Sequence, residues 1–128
     1  MRRVLLVTLA AAMWLSCGGS GSAPAAPSGG SAEGRTITIT ANGATPAVLT
    51  IAPGTRVLFV NNDTRPHNMT SDPHPEHDLC PEINTVGLLS AGQSRETGNL
   101  NTVRTCGFHD HDNPPPAGSR WTGSLVIR

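Results

Sequence analysis

The sequence predicts an all-β domain built as a β-sandwich, on three observations. Short β-branched segments alternate apolar and polar residues. Turn signals separate them about every eight to twelve residues, the spacing of a sandwich. No stretch carries the 3.6-residue apolar period of an amphipathic helix. In chain order, Thr36-Ile37-Thr38-Ile39-Thr40 alternates strictly and reads as a half-buried strand, closed by the turn pair Asn42-Gly43. Residues 47–51 form a second strand and Pro53-Gly54 a turn. Residues 55–60 form a third, strongly β-branched strand that Asn61-Asn62-Asp63 ends. A short fourth strand covers 67–70, and 71–84 is a loop rich in proline and charge. Residues 85–89 and 94–100 are strands on either side of the turn Ala91-Gly92-Gln93. Residues 101–105 lead into Cys106, 112–119 form a proline-rich loop, and 121–127 make the closing strand. That gives seven to eight strands. Their expected core is Ile37, Ile39, Leu49, Ile51, Val57, Phe59, Val60, Leu125 and Ile127, with Met69 packed among them.

The chain has 128 residues, room for one domain. Met1-Arg2-Arg3 and the apolar run 4–15 are too short to span a bilayer and suit a secretory signal. The run ends at Trp14-Leu15-Ser16-Cys17, followed by Gly18-Gly19-Ser20, which resembles a bacterial lipoprotein signal. That resemblance implies a lipid anchor on Cys17 and a periplasmic or otherwise extracytoplasmic location; plain secretion, with cleavage near Ser22-Ala23, is the other reading. Residues 18–34 are Gly, Ser, Ala and Pro with one Glu, and read as a flexible tether of roughly 20–25 Å reach. The expected division is therefore a signal at 1–16, a lipidated cysteine with its linker at 17–34, and one domain at 35–128. Without Arg2 and Arg3 the chain carries seven arginines against nine acidic residues and no lysine. It has no basic stripe for nucleic acid.

All five histidines, at 67, 74, 77, 109 and 111, fall within one window of 45 residues. Solvated surface histidines would scatter, so the clustering points to a site. Cys106-Gly107-Phe108-His109-Asp110-His111 puts a thiol and two imidazoles within six residues, and Arg65-Pro66-His67-Asn68-Met69 lies about forty residues earlier. Thiolate and imidazole together suit copper or zinc, and two histidines with one cysteine are the donor set of electron-transfer copper.

Three motifs occur in a fixed order: Gly54-Thr55-x-Val57-x-Phe59-Val60-Asn61-Asn62-Asp63 with Pro66-His67-Asn68; Ser90-Ala91-Gly92-Gln93-Ser94; and Cys106-x-x-His109 with Gly123-Ser124-Leu125-Val126-Ile127. Over residues 35–128 this pattern resembles the cupredoxins, the plastocyanin and azurin family of small copper proteins. The resemblance implies a Greek-key β-sandwich with a copper ion at one end, under the loop joining the last two strands. It implies His67, Cys106 and His109 as equatorial ligands, and Asn68 as the residue that hydrogen-bonds across to the ligand loop. The chain departs from the family in three places. No Met follows the second histidine, where Asn113-Pro114-Pro115-Pro116 stands, which leaves the axial place to His111, a backbone carbonyl or another group. Val103-Arg104-Thr105 replaces the aromatics before the cysteine. Cys80 has no counterpart.

Two roles for Cys106 stay open. It is a copper thiolate, or it is bridged to Cys80, as parity favours in an oxidising compartment. With the bridge, His67, His109 and His111 remain as an all-imidazole copper site. His109 and His111 alternate and point to one side of an extended chain. His74 and His77, in Ser71-Asp72-Pro73-His74-Pro75-Glu76-His77-Asp78, read as a second, weaker metal-capture loop or, more plainly, as a solvated loop. Asn62 and Asn68 match glycosylation acceptors, discounted beside a bacterial-type signal. The expected function is extracytoplasmic copper binding for one-electron transfer, by a monomer with a redox protein or copper-handling protein as partner. The alternatives are copper transport or homeostasis through a His-rich site with a Cys80–Cys106 disulfide, and a metal-free interaction sandwich. An enzyme is not expected, since no nucleophile–base pair or carboxylate pair stands apart from the metal set.

Overall fold

The structure, a computed structural model, describes residues 32–128. The expected signal, Cys17 and almost all of the tether lie outside the described residues. A short turn of 3₁₀ helix, Ala32–Arg35, leads into nine strands: β1 (Thr36–Thr40), β2 (Gly43–Thr45), β3 (Val48–Ile51), β4 (Leu58–Asn61), β5 (His67–Ser71), β6 (Gly87–Leu89), β7 (Ser94–Glu96), β8 (Arg104–Asp110) and β9 (Gly123–Ile127). Two further 3₁₀ turns, Pro81–Thr85 and Ser119–Trp121, precede β6 and β9. One sheet has the order β2-β1-β4-β7 and the other β3-β9-β8-β5-β6. β1 pairs with β4 and β3 with β9 in parallel; the other pairings are antiparallel. This is the all-β Greek-key sandwich expected. No helix among the described residues is long and apolar enough to cross a membrane.

The strand count exceeds seven to eight because the chain changes sheets at Pro46. Gly43–Thr45 adds to β1 in the first sheet, and Val48–Ile51 adds to β9 in the second. Gly43 opens β2 at φ +132°, where a side chain would be strained. The third strand starts late, at Leu58. Thr55 makes only an isolated bridge to Leu100, and the Val57 N–H donates to Thr97 Oγ1 at 3.0 Å.

The sheets meet over Ile37, Ile39, Ile51, Val57, Phe59, Leu125 and Ile127, all buried. Phe59 and Phe108 pack edge to face, with ring centroids 5.2 Å apart. Two expected core residues differ. Phe59 and Asn61 take the inward positions of β4, so Val60 faces outward and is only part-buried, and Leu49 covers the core margin. Met69 is buried as expected, and burial adds Ile83, Val86, Leu89, Leu100, Phe108 and Trp121.

The sequence pattern leads residues 101–105 into Cys106 and marks no strand beyond it, but β8 runs four residues past Cys106, to Asp110. Cys106 therefore sits inside a strand, opposite Leu125 of β9, with its side chain in the core. There it is joined to Cys80 by a disulfide with Cα atoms 5.7 Å apart. This corrects the thiolate role of Cys106: a sulfur bound to sulfur in the core has no lone thiolate to give a metal. In the chain-entropy account a loop of that size contributes about 3 kcal/mol.

Leu125 is fully buried on the strand that faces Cys106. Leu125→Ala is expected to lower unfolding free energy by about 2–5 kcal/mol, read by urea denaturation. An unchanged midpoint would mean that β9 does not present this face to the core.

Candidate metal centre

The site is set by which side of β8 each residue takes. Side chains alternate along a strand, so Cys106, Phe108 and Asp110 point inward, and Gly107, His109 and, just past the strand, His111 point outward. The neighbouring strand obeys the same parity. His67, Met69 and Ser71 of β5 are buried on the inner side, and the register places Met69 opposite Asp110 and Thr70 opposite His109. His67 and His109 are therefore on opposite faces of the five-stranded sheet.

On the inner side His67 is 1 % exposed and closed in by two carboxylates. Its Nδ1 lies 2.9 Å from Asp110 Oδ2 and its Nε2 3.0 Å from Asp63 Oδ2. Asp110 also accepts from the backbone N–H of Asn68 at 3.0 Å and from Asn113 Nδ2 at 2.8 Å. Asp63 is carried by a turn that Asn61 ties down: Asn61 Nδ2 donates to the carbonyls of Arg65 and Leu89, and its Oδ1 accepts from the Asp63 N–H. Hydrogen bonding to His67, then to the Thr64 N–H and to Arg65, holds the Asp63 carboxyl down to about 2 against the burial that opposes it. Trp121 caps the group, its ring centroid 5.0 Å from that of His67 and its Nε1–H donating to the Thr40 carbonyl. Both ring nitrogens of His67 are thus occupied by protein oxygens. That corrects His67 as a metal ligand, and with it the inner end of the sandwich as the metal position. Asn68 does reach the strand-end segment, but through its backbone: its N–H meets Asp110 and its carbonyl accepts from the His111 N–H at 2.7 Å.

On the outer side four imidazoles converge. His74, His77, His109 and His111 each bring a ring nitrogen to within 4.8 Å of the other three. His109 is buried, His77 and His111 are half-buried, and His74 is exposed. His111 Nδ1 and His77 Nε2 are 3.2 Å apart. The segment 72–80 folds over this face and is pinned at both ends. The Asp72 N–H donates to the Gly107 carbonyl at 3.0 Å, the Cys80 N–H to Ser71 Oγ at 2.8 Å, and the disulfide ties Cys80 to β8. Within it the His77 N–H donates to the Pro73 carbonyl, and Asn84 Nδ2 to the His77 carbonyl, holding His77 at φ +56°. Burial, then the charges of His109, His111 and His74, lower the pKa of His77 and favour its neutral, ligand-competent form. A four-nitrogen shell with bonds of about 2.0–2.1 Å has neighbouring nitrogens about 3.4 Å apart. His77 and His111, 3.2 Å apart, are already near that spacing, and the His74 ring lies 5.4, 5.5 and 5.2 Å from those of His77, His109 and His111.

The structure therefore brings together His109 and His111, as their alternation in sequence indicates, and separates both from His67 and Cys106. The plainer reading of His74 and His77 as a solvated loop misses them. The available signal was the pair His74-Pro75-Glu76-His77 directly before a cysteine able to anchor it at Cys106.

No family model matches the sequence, and no curated protein does. Solved structures do. A purple cupredoxin from Nitrosopumilus maritimus superposes with a TM-score of 0.56 at 20% identity, over 73% of this chain and 98% of that one. A plastocyanin from the fern Dryopteris crassirhizoma gives 0.54 at 19% identity, over 73% and 99%. A variant amicyanin in its oxidised form gives 0.56 at 15%, over 75% and 83%. The fold is that of the cupredoxins. The sandwich here combines a closed His67–carboxylate group within its end with a histidine cluster on the outer face of the larger sheet.

Asp63 makes a pH test of the inner group. Its folded pKa is held at about 2 against an ordinary 3.8, so its contribution to stability is complete above the ordinary value and disappears as pH falls toward the folded one. Urea midpoints of the native chain should fall over that interval, and Asp63→Asn should remove that part of the slope. Equal slopes in the two proteins would show that Asp63 is not bound to His67.

Proposed function

We propose that the chain is an extracytoplasmic copper-binding protein whose ion is held by His74, His77, His109 and His111. The observation that carries this reading is the convergence of four imidazoles on one small volume while Cys106 is committed to a disulfide. Imidazole nitrogen suits copper and zinc among the common metals. The fold is shared with copper proteins, which favours copper. A bound ion would supply a redox-active or exchangeable centre; the chain's own part is to fix His109 and His111 on a strand and to bring His74 and His77 over them on a bridged loop. The disulfide agrees with an oxidising compartment, and a lipid on Cys17 would hold the domain at a membrane through its tether. With no thiolate donor among the described residues and with His74 open to solvent, copper capture and delivery to a copper-handling protein fits this site better than blue-copper electron transfer. The protein acts as a binding monomer, not as a catalyst.

Titration with Cu(II) should give one tightly held ion per chain and only weak visible colour, without the intense thiolate band at about 600 nm. His109→Ala combined with His111→Ala should abolish that binding. His67→Gln should keep the one-ion stoichiometry while lowering thermal stability. An intense blue band, or full binding by the double variant, would overturn this reading.

A further inference from the structure

The strand that carries the cluster contains a glycine where a strand would not choose one. Gly107 lies inside β8, paired with Ser124 of β9. Glycine there weakens a strand, and its φ is not in the left-handed region that would call for it. The reason is space. A Cβ on Gly107 would stand 2.0 Å from Asp72 Oδ2 and 2.8 Å from its Cγ. The missing side chain is therefore a slot for the Asp72 carboxylate.

That carboxylate has one strong partner. Asp72 Oδ1 lies 2.6 Å from His109 Nδ1, the short separation of a charge-assisted bond. The Asp72 backbone cannot drift: its N–H donates to the Gly107 carbonyl, and its own carbonyl accepts from the Leu79 N–H and from Ser71 Oγ, all at 3.0 Å. His109 is the most buried ring of the four, so a wrong ring flip or tautomer there is not corrected by free rotation in solvent. With Nδ1–H donated to Asp72, Nε2 is left as the nitrogen with a lone pair, and it meets Thr70 Oγ1 only at the long distance of 3.5 Å.

We propose that Asp72, seated over Gly107, is the positioning residue of the histidine cluster: it fixes the tautomer and ring orientation of His109 and presents Nε2 to a divalent cation. This rests on the reading of the cluster as a metal site. A carboxylate or carbonyl behind a ligating imidazole contributes about 10–100-fold in metal affinity. The pair also explains why the loop enters the site at Asp72 and not at a neighbouring position: only the residue opposite the glycine can bring a carboxylate down to the sheet surface.

Three single variants, one double variant and two readouts test it on the full chain. Cu(II) affinity is measured by competition with a chromophoric chelator, and the His109 tautomer by long-range ¹H–¹⁵N correlation on the metal-free protein. The native protein should show His109 protonated at Nδ1. Asp72→Asn and Gly107→Ala should each weaken Cu(II) binding by about 10–100-fold, with the disulfide intact, and should mix the His109 tautomers before any metal is added. Asp72→Glu, with the acid retained, should recover part of the affinity in the native background but not beside Gly107→Ala. Affinity within twofold of native in Asp72→Asn, or a His109 protonated at Nε2 in the native chain, would overturn the proposal. Should the native chain bind no copper while His109 holds the Nδ1–H tautomer only when Asp72 is present, the metal reading falls and the positioning role of Asp72 stands.

Discussion

The alternation of side chains along β8 is the constraint on which the rest of this molecule depends. Seven residues, Arg104–Asp110, run through the middle of the larger sheet between β9 and β5. Their inward set is Cys106, Phe108 and Asp110, which supply a bridge, an aromatic contact to Phe59 and the anchor of a buried polar group. Their outward set is Gly107 and His109, continued by His111, which supply a slot and two imidazoles. A shift of one residue would exchange the two sets, placing imidazoles in the apolar core and a phenyl ring in solvent. The buried Phe108 therefore holds the histidines outside as firmly as it holds itself inside.

The outer cluster needs a second element, because a strand presents only two of the four rings. The segment 72–80 supplies the others, and such a segment would ordinarily sample many shapes. Three restraints narrow it. The disulfide joins its end to the strand it must cover, the Asp72 N–H bonds to that same strand at Gly107, and Asn84 holds the His77 carbonyl from outside. The disulfide thus acts twice. It removes Cys106 from metal chemistry, and it limits how far His74 and His77 can move from His109 and His111.

Much of the sandwich was legible in the sequence. Thr36–Thr40 is a strand in the structure as in the sequence pattern because strict alternation of Ile and Thr has one reading, and Ile37, Ile39, Leu125 and Ile127 are buried as period two requires. The site was legible in its parts and not in its assembly. His109 and His111 share a face, as their spacing indicates. The grouping of His67 with Cys106 came from the resemblance, which expects the cysteine at the strand end before the loop. Here the strand end is Asp110, four residues later, with Asn113 three residues beyond it. No local pattern in Val103-Arg104-Thr105-Cys106 marks where the strand stops, since its continuation depends on pairing with Ser71 and Gly123, both remote in sequence. His74 and His77 were hidden for a related reason: loop residues converge through cross-links, and a cross-link has no periodicity.

The inner group closes the end of the sandwich with one imidazole while the other four stand outside. At the end of the sheet between β5 and β8, His67, Asp63, Asp110 and Asn113 bond to one another beneath Trp121, and the Arg65 and Arg120 guanidinium groups lie 5.0 and 4.3 Å from the Trp121 ring. Buried polar groups are tolerated only when their partners are present. Here each ring nitrogen of His67 has an oxygen and each carboxylate has several donors. Because Asp110 stands between His109 and His111, the same bonds that satisfy the interior hold the backbone from which the outer rings project. Removing one partner would leave a buried polar atom unpaired, so the inner group resists rearrangement. A metal at His67 would have to displace a buried carboxylate, Asp63 or Asp110, from a ring nitrogen first, whereas a metal at the outer cluster has to part only the imidazole–imidazole contact between His111 Nδ1 and His77 Nε2. The interior is closed by its own hydrogen bonds, and the face of the sheet is left as the open place for an ion.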